Sequence, residues 1–428
     1  MMSDTEEDSS NSENNWPMNE DWMLDILKDD DKSEAKVKIN YFSAKSICQH
    51  GVSNLSDLIM ASIKYEIGEN RSEKQLDIVI KLLPQDPFGR YFVTINQFDL
   101  REIQFYTKIH SDLMTFQNAH LKTGCEPIVI AVPKCFYSKY KSGFSDAPDD
   151  NSSPEPPESI LVLQDMRPLG FKAVNLSNGL SLNEAEGAIT AIAAVHSLTL
   201  GMKLKEKVDL NEKYPFLFQI AKATDSYQQL VEQGFPQLVS FLKGVNGFSN
   251  ELAALEVIRI KTKAIIEKLL QPIEPMGLIT HTDFWCNNLL LKEQQTSNID
   301  DMSNEHVDCV ILDWQMITYS RPTNDLALLI LSSLPSKVRR DNTQKLLNHY
   351  YTMMKENLNK INIDIEVTLN YTKEKLLDDY KKSQVLALLL CIGSADIALG
   401  NQQAEQRFLD VLRDLYKDGV LNIEELSF

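Results

Sequence analysis

Alternating apolar and polar residues predict a β-sheet in the first part of the chain. The alternation runs through residues 36–66, and an apolar strand with a single lysine, Lys81, follows at residues 77–83. A further strand is predicted at residues 159–166. Beyond it, apolar residues recur at helical spacing through residues 182–196, 252–270 and most of 325–415. The pattern therefore predicts a sheet followed by a mainly helical region.

Two apolar runs predict a polar turn that could carry chemistry. Residues 281–288 lie between the apolar segments 277–279 and 289–291, which places Asp283 and Asn288 in one turn, and Asp313 directly follows a third apolar run. Phosphoryl transfer needs one carboxylate to orient and deprotonate the attacking hydroxyl, and an amide with a second carboxylate to hold Mg²⁺ on the phosphates. We therefore predict Asp283, Asn288 and Asp313 as catalytic residues, with Asn288 and Asp313 as metal ligands. The alternative is that these residues only form a turn and begin a loop.

A lysine and a glutamate are predicted to hold the nucleotide. Residues 98–106 repeat apolar residues at helical spacing, with Glu102 on the face expected to turn toward the sheet. Protein-kinase-like folds fix the phosphates with such a strand lysine and helix glutamate, so Lys81 and Glu102 should lie within salt-bridge distance. The alternative is an edge-strand lysine and a solvated glutamate. Gly51, Ser53 and Asn54 belong to a candidate phosphate loop, although a single glycine taken alone fits a plain hairpin turn better.

The composition argues against several classes of protein. The 428-residue chain has a net charge of -18 and a pI near 4.9, whereas nucleic-acid binding requires a positive surface. Its six cysteines form no C-x-x-C pair, so we expect neither a zinc site nor a disulfide framework, and a cytoplasmic location fits best. The N-terminus is acidic, unlike a signal peptide. The apolar stretch 385–399 is shorter than the ~20 residues that span a bilayer, so we expect no membrane partner.

Polar segments are expected at the N-terminus and near the middle of the chain. Residues 1–15 are rich in Ser, Asn and acidic residues and are predicted to be disordered. A short amphipathic helix at residues 22–27 should dock on the body of the protein. Residues 141–159 combine prolines with acidic residues and are predicted to form a surface loop that is dispensable for folding.

Several motifs occur together in the order of a known family. They are His281-Thr282-Asp283-Phe284-Trp285-Cys286-Asn287-Asn288, Leu312-Asp313-Trp314-Gln315, Pro322-Thr323-Asn324-Asp325-Leu326, Leu163-Gln164-Asp165-Met166 with Gly170-Phe171, and Ala194-Val195-His196-Ser197. In combination they resemble the H-G-D-x-W-x-x-N, I-D-F-Q, P-x-x-D-L, hinge and histidine-helix motifs of the insect ecdysteroid kinase-like family. Choline kinases and aminoglycoside phosphotransferases are relatives of this family. Lys81, and Glu102 with Tyr106, also fall where the family has its lysine strand and E-x-x-x-Y helix.

The resemblance implies an α+β, two-lobed protein-kinase-like fold. Residues 1–35 would form an acidic tail and docking helix, 36–163 an N-lobe with a five-stranded antiparallel sheet and one main helix, 164–167 a hinge, and 168–428 a larger, mainly helical C-lobe. Gln164, Asp165 and Met166 would contact the nucleotide at the hinge. The implied reaction uses ATP and Mg²⁺ to phosphorylate a hydroxyl of an ecdysteroid or a similar lipophilic alcohol. Only eleven residues separate Asp313 from Asp325, too few for the activation loop of a protein kinase.

Three positions depart from the family pattern. Thr282 replaces a glycine, Trp314 a phenylalanine and Gln164 a glutamate. A β-branched residue does not readily adopt φ > 0, so Thr282 leaves open a catalytically impaired member that binds a nucleotide or steroid as a carrier or sensor. An interaction scaffold that uses the acidic loop is a third hypothesis. Protein partners stay unknown.

Supporting roles are predicted for four further residues. His281 should be structural, bonded to the backbone near Asp313, and His196 should be a packed core residue. Trp285 should pack beneath the turn and could form a wall of a pocket. Asp325 should anchor the turn by accepting hydrogen bonds from the backbone.

Overall fold

The protein has the α+β, two-lobed architecture that the sequence predicts, with an antiparallel sheet first and a mainly helical region after it. The computed structural model describes residues 22–24, 26–27, 37–47, 55–67, 72–143, 156–294 and 306–422. The predicted segment 1–15, the phosphate-loop residues Gly51, Ser53 and Asn54, and the centre of the acidic loop lie outside the described residues. The division into lobes at residues 163 and 168 stays a prediction.

The strands form three antiparallel sheets. In chain order they are β1 (Val37–Ser46), β2 (Asp57–Ile67), β3 (Ser72–Leu82), β4 (Cys135–Lys141), β5 (Glu158–Gln164), β6 (Lys172–Ala173), β7 (Leu278–Thr280), β8 (Leu289–Glu293), β9 (Val307–Ile311) and β10 (Thr318–Ser320). The predicted five-stranded sheet is present, with the order β1-β2-β3-β5-β4. β6, β8 and β9 form a second sheet, and β7 pairs with β10.

Helices make up most of the rest of the described chain. They are α1 (Pro87–Asn96), α2 (Phe98–Gln104), α3 (His110–His120), α4 (Leu182–Glu206), α5 (Leu210–Lys213), α6 (Ile220–Lys243), α7 (Ser249–Ile260), α8 (Thr262–Leu270), α9 (Thr323–Ser333), α10 (Ser336–Lys360), α11 (Ile365–Leu369), α12 (Lys373–Gly393), α13 (Ala395–Ala398) and α14 (Gln402–Lys417). A π-helical turn, Phe105–Ile109, joins α2 to α3, so the helix that carries Glu102 continues without a break.

The central strands of the five-stranded sheet separate two layers. Side chains alternate between the faces of a strand, so Ile78 and Ile80 of β3 point to one face and Lys81 to the other. The Ile78 and Ile80 face is covered by Met23, Ile26 and other residues of the helical N-terminal segment. This contact confirms the predicted docking helix. It also leaves Lys81 directed toward Glu102 of helix α2 and toward Asp313.

Helix α4 is a core helix. It begins with a capping box, in which the Glu184 N–H donates to Ser181 Oγ and the Ser181 N–H donates to Glu184 Oε2. Within the described residues it is the one helix long and apolar enough to cross a membrane, but 83% of its apolar window is buried inside the protein. Burial inside the protein accounts for its apolar sequence.

Several predicted boundaries were wrong. Helix α1 was not predicted, and the single helix expected at residues 252–270 is divided into α7 and α8 at Lys261. The predicted loop 141–159 was too long, because β4 ends at Lys141 and β5 begins at Glu158. The ends of the loop are stabilised by strand pairing, which its proline and acidic composition concealed.

Candidate active site

Lys81, Glu102 and Asp313 meet in one ion-paired cluster. Lys81 Nζ lies 2.8 Å from Glu102 Oε1 and 2.7 Å from Oε2, which confirms the predicted salt bridge. The same ammonium group also donates to Asp313 Oδ1. The Lys81 and Glu102 side chains are 12% and 5% exposed, whereas Asp313 is 36% exposed. The cluster therefore joins strand β3, helix α2 and the segment after β9, and its open side is at Asp313.

The cluster sets the charges of its members. Burial lowers the pKa of Lys81, but Asp313 and Glu102 outweigh it and raise that pKa well above its ordinary value. Burial alone would raise the pKa of Asp313, but the ion pair with Lys81 outweighs burial, so the pKa lies below its ordinary value. Lys81 is therefore positive and Asp313 negative at neutral pH.

The turn that carries Asp283 is held by His281 and Asp325. Asp325, in the first turn of α9, accepts the N–H of His281 at 2.8 Å and the N–H of Thr282 at 2.7 Å. His281 Nε2 donates to the Leu312 carbonyl at 2.8 Å, while His281 Nδ1 accepts the Asp283 N–H at 3.2 Å. The predictions that His281 bonds backbone near Asp313 and that Asp325 accepts backbone hydrogen bonds are confirmed.

Thr282 occupies the conformation that its glycine-like position requires. Its φ is 65°, in the left-handed region, and its side chain is buried. The Thr282 hydroxyl lies 2.8 Å from the Thr280 hydroxyl, and Thr280 in turn donates to the Thr318 carbonyl. The β-branched residue therefore does adopt the strained conformation, and the surrounding hydrogen bonds hold it there.

Asp283 and Asn288 are in direct contact. Asn288 Nδ2 donates to the Asp283 carbonyl and to Asp283 Oδ2, both at 2.8 Å. Burial raises the pKa of the Asp283 carboxyl, partly opposed by His281 and Asn288. The amide nitrogen of Asn288 is thus occupied by Asp283, and no donor among the described residues bonds to its side-chain oxygen. This oxygen and the Asp313 carboxylate offer the hard oxygen ligands that Mg²⁺ prefers.

The donor set fits a metal that is shared with phosphates. No group of three or more His, Cys, Asp or Glu side chains in the described residues could hold a metal ion by itself. Kinase Mg²⁺ ions are held by one or two protein ligands together with the nucleotide phosphates, so two protein ligands suffice. Asn288 and Asp313 therefore suit a nucleotide-bound Mg²⁺ better than a structural metal.

Trp314 and Arg101 connect the catalytic segment to helix α2. The Trp314 ring is fully buried and stacks on Phe105 with 3.8 Å between centroids. Arg101 Nε donates to the Gln315 carbonyl at 2.8 Å, and its guanidinium lies 4.0 Å from the centroid of Phe218. Tryptophan at the position of the family phenylalanine is therefore accommodated, and these contacts fix Asp313 relative to Glu102.

The predicted hinge residues Gln164, Asp165 and Met166 lie at the end of β5. The N–H groups of Gln164 and Asp165 already donate to the carbonyls of Lys134 and Asp77. The Asp165 carboxylate is paired with Arg167, whose Nη2 lies 2.6 Å from Oδ2. Among the described residues, no acceptor takes the Met166 N–H, so Met166 retains the backbone donor that a hinge contact to adenine would use. The nucleotide-binding roles predicted for Gln164, Asp165 and Met166 stay predictions.

A large cavity opens beside Asp283. Its volume is about 710 Å³, and Thr282, Asp283 and Trp285 form one part of its wall. Helices α1, α6, α9, α12, α13 and α14 provide most of the rest, mainly with apolar side chains such as Leu328 and Leu389. The volume lies within the range of roughly 300–1,000 Å³ found for small-molecule sites. Trp285 is therefore a wall of this cavity as well as a packing residue.

Two cavity residues were missed by the sequence analysis. Tyr227 of α6 is 3% exposed, and its hydroxyl has no hydrogen-bond partner in the described part of the chain. Burial and the neighbouring Asp283 carboxylate raise the pKa of Tyr227 well above its ordinary value, so the phenol stays protonated. Arg407 of α14 is also buried at the cavity wall. Both residues lie in amphipathic helices, where nothing in their spacing distinguishes them from packing residues.

His196 supports the turn from behind. The ring is fully buried; Nε2 lies 3.1 Å from Asp325 Oδ2 and Nδ1 lies 2.9 Å from the Tyr350 hydroxyl. Asp325 also accepts hydrogen bonds from the backbone of the turn that carries Asp283. His196 therefore helps to position Asp283 through Asp325. The prediction of a packed core histidine is confirmed.

Comparison with known proteins agrees with the motifs. Residues 51–363 match the model of the ecdysteroid kinase-like family. A Caenorhabditis elegans protein, named uncharacterized oxidoreductase dhs-27, is 19% identical over 277 residues, and the match covers 62% of this chain and 30% of that protein. The chain thus spans less than a third of the length of this relative. A solved structure of a Plasmodium vivax ethanolamine kinase aligns at 12% identity and a TM-score of 0.38, covering 86% of this chain and 82% of that chain.

The family match covers the residues that meet in the cluster and the turn. It extends from before Lys81 to beyond Asp325, and so includes both aspartates of the site. It therefore confirms the resemblance that the motifs indicated. The chain belongs to the ecdysteroid kinase-like family.

Proposed function

We propose that the protein transfers the γ-phosphate of ATP to a hydroxyl group of a lipophilic small molecule, an ecdysteroid or a comparable alcohol. The observation that carries this proposal is the position of Asp283. Its carboxylate contacts Asn288, whose backbone carbonyl accepts the N–H of Leu312 next to Asp313, and it also forms part of the wall of the apolar cavity of about 710 Å³. A carboxylate between a phosphate-binding cluster and a cavity is suited to activate an alcohol that enters from the cavity.

Asp283 would orient the acceptor hydroxyl in line with the γ-phosphate. It would take the hydroxyl proton late in the transfer, as the new O–P bond forms and ADP leaves. Tyr227 would donate its hydroxyl hydrogen to the same acceptor oxygen or to one beside it, because its phenol is protonated, buried and unpaired in the described part of the chain. Both residues would hold the acceptor in a reactive geometry.

Lys81 would bind the α- and β-phosphates, with Glu102 holding the ammonium group in place. Asp313 and Asn288 would ligate Mg²⁺, which neutralises the charge of the phosphates. In the described conformation Lys81 also pairs with Asp313, so the arriving phosphates would compete with Asp313 for the ammonium group. Met166 would offer its free N–H to the adenine ring at the hinge.

The lining of the cavity supports a lipophilic acceptor rather than a charged one such as ethanolamine. Its apolar lining side chains are mainly leucine and phenylalanine, which would not compensate the lost hydration of a small ammonium ion. The family to which the chain belongs favours an ecdysteroid within this class. A cytoplasmic location and the absence of nucleic-acid and membrane partners belong to the same proposal, in view of the net charge of -18.

The direct test is release of ADP that depends on the acceptor. The purified protein is mixed with Mg-ATP and either ecdysone, a sterol or ethanolamine, and ADP is measured together with the phosphorylated product. We expect product with ecdysone and none with ethanolamine. Tight Mg-ATP binding without product from any hydroxylated lipophilic compound would favour the alternative, a nucleotide- or steroid-binding protein.

Substitutions of Asp313 and of Asp283 should affect nucleotide binding and turnover to different extents. Asp313→Asn should weaken both Mg-ATP binding and turnover, because a metal ligand loses its charge. Asp283→Asn should leave Mg-ATP affinity nearly intact and reduce turnover by roughly 100-fold or more, because the base and the orienting group are lost together. Asp308→Asn is the matched control, since Asp308 lies on β9 and accepts from Gln294 outside the site.

Calorimetric titration of Mg-ATP and single-turnover transfer separate these outcomes. Equal loss of nucleotide affinity in both variants, or full turnover by Asp283→Asn, would show that the assigned roles are incorrect.

A further inference from the structure

We propose that Arg407 is a second recognition point in the acceptor cavity, and that the acceptor carries a carbonyl or carboxylate oxygen that binds it. The inference deepens the proposed function, because it assumes that the cavity beside Asp283 receives the acceptor. It assigns to that molecule two polar groups, a hydroxyl at Asp283 and an oxygen acceptor at Arg407, with an apolar body between them.

Arg407 is a buried cation without a counter-ion. Its side chain belongs to the cavity wall and the residue is 6% exposed. Nη2 donates to the Leu176 carbonyl at 2.7 Å, and this is its one hydrogen bond among the described residues. No carboxylate in the described part of the chain lies within ion-pair distance of the guanidinium. The other N–H donors of the guanidinium make no hydrogen bond in the described part of the chain, and none of its nitrogen atoms is both fully buried and unpaired, so these donors are accessible to a ligand in the cavity.

The surroundings of Arg407 are neutral and shaped to admit the guanidinium. Burial raises the pKa of the Cys391 thiol, so it supplies no negative charge at neutral pH. Gly179, at a φ of 67°, leaves room for the group, since a Cβ there would lie 2.8 Å from Nη1. Asp396 also borders the cavity but is exposed and makes no ion pair among the described residues.

Two other arginines show that burial alone does not define such a site. Arg321 is likewise 6% exposed, but its Nε and Nη2 donate to the carbonyls of Gln271 and Lys268. Arg101 donates to the Gln315 carbonyl and lies over the ring of Phe218, and its Nη2 is buried without a hydrogen-bond partner in the described part of the chain. Neither belongs to the cavity wall, whereas Arg407 does. The combination of unpaired donors and access to the cavity distinguishes Arg407.

Most residues that border the cavity shared by Asp283 and Arg407 are apolar. Leu328, Leu331 and Leu389 border the same cavity as Asp283 and Arg407. An acceptor that reaches both points therefore needs a hydrophobic body, and an oxygen acceptor satisfies the guanidinium where a methylene group would not. Ketones and carboxylates share this chemistry, because each presents an oxygen with free lone pairs to an N–H donor.

Binding of matched probes tests the proposal without requiring turnover. The full-length protein is titrated calorimetrically with dehydroepiandrosterone, which has a hydroxyl at one end and a ketone at the other. The second probe is the analogue in which a methylene replaces the ketone, and the third is lithocholate, a hydroxysteroid with a carboxylate. The variants are Arg407→Met, Arg407→Lys and the matched control Arg321→Met, each with its melting temperature recorded.

If the proposal is correct, the variants should lose affinity for the probes in one specific pattern. Arg407→Met should weaken the ketone or carboxylate probe by roughly 10-fold or more, the scale of a hydrogen bond to a charged group. It should leave the methylene analogue unchanged, and Arg407→Lys should recover part of the loss. A larger effect on the carboxylate would identify an anionic acceptor, and a larger effect on the ketone a neutral one. Arg321→Met should change none of the three affinities.

Other patterns would overturn the proposal. Equal losses for the ketone and methylene probes would assign Arg407 a purely structural role in holding Leu176, and so would unchanged affinities in Arg407→Met. Failure of the unmodified protein to bind either oxygen-bearing probe would also refute it. Binding that depends on Arg407 but gives no ADP would leave this inference standing while contradicting the proposed kinase activity.

Discussion

The strained backbone at Thr282 leads to a prediction about the free energy of unfolding. Glycine usually destabilises a folded protein relative to alanine, but at this position we expect the reverse. Thr282 has a φ of 65° and a buried side chain, so a change there alters both backbone strain and side-chain contacts. Two variants separate these effects. Thr282→Ala removes the hydroxyl and methyl groups but keeps a Cβ in the left-handed region. Thr282→Gly removes the Cβ as well, and with it the strain.

The expected free energies follow from the contacts of the side chain. Loss of the buried methyl costs about 0.8 kcal/mol, and loss of the hydrogen bond between the hydroxyls costs about 0.5–1.5 kcal/mol. The Thr280 hydroxyl keeps its bond to the Thr318 carbonyl, so no group is left unpaired. Thr282→Ala should therefore be less stable than the unmodified protein by roughly 1–2 kcal/mol.

Thr282→Gly, which also removes the Cβ, should recover part of the stability lost in Thr282→Ala. A left-handed residue with a Cβ carries a strain of roughly 1–2 kcal/mol, while glycine adds about 0.4–1 kcal/mol of unfolded-state entropy. The glycine variant should thus be more stable than the alanine variant by up to about 1.5 kcal/mol. Urea unfolding with both variants and the unmodified protein measures the difference. An alanine variant that is more stable than the glycine variant would refute the strain.

Further predictions concern the cavity and the N-terminal segment. Tyr227→Phe should lower kcat/KM for the acceptor by roughly 5–10-fold through the loss of one hydrogen bond, with the KM for Mg-ATP and the melting temperature unchanged. Loss of stability in Tyr227→Phe would instead indicate an internal partner for the hydroxyl. Deletion of residues 1–35 should lower the melting temperature by several degrees, because burial of Met23, Ile26 and Leu27 contributes up to roughly 1.5–3 kcal/mol each. Deletion of residues 1–15 alone is the control and should have no effect; equal melting temperatures for both deletions would contradict the docking role.

The cluster of Lys81, Glu102 and Asp313 could be predicted because each member interrupts a clear local pattern. Lys81 is the one cation in the apolar run 77–83, and Glu102 lies on a helix with regular apolar spacing. Asp283 and Asp313 follow apolar runs that had to be buried, so their side chains had to emerge at strand ends. In such places the polarity of a single residue conflicts with its neighbours, and the conflict indicates function.

Other features depend on tertiary contacts that no local pattern contains. Tyr227 and Arg407 lie in helices whose spacing also fits ordinary packing, and only the arrangement of α6, α9, α12 and α14 around one cavity gives them a role. Strands β7 and β10 have three residues each, too few to show alternation.

Helix α1 is different, because the sequence contained a signal for it. Asp86 caps the helix by accepting the Gly89 N–H at 2.7 Å, and Pro87 occupies its first position. Both features favour the start of a helix. The helix could therefore have been predicted from the sequence alone.

The hypothesis of a binding protein without activity was based on Thr282 at the glycine position. The geometry of the turn weakens that argument. A distorted turn would have separated Asp283 from Asn288 or His281 from Leu312, yet both contacts are present at 2.8 Å. Two charge-assisted bonds from the turn to Asp325, each worth about 1.5–3 kcal/mol, exceed a strain of about 1–2 kcal/mol. The threonine therefore costs stability without displacing the aspartate. An inactive protein would need a cause elsewhere in the site, and the contacts among Lys81, Glu102 and Asp313 offer none.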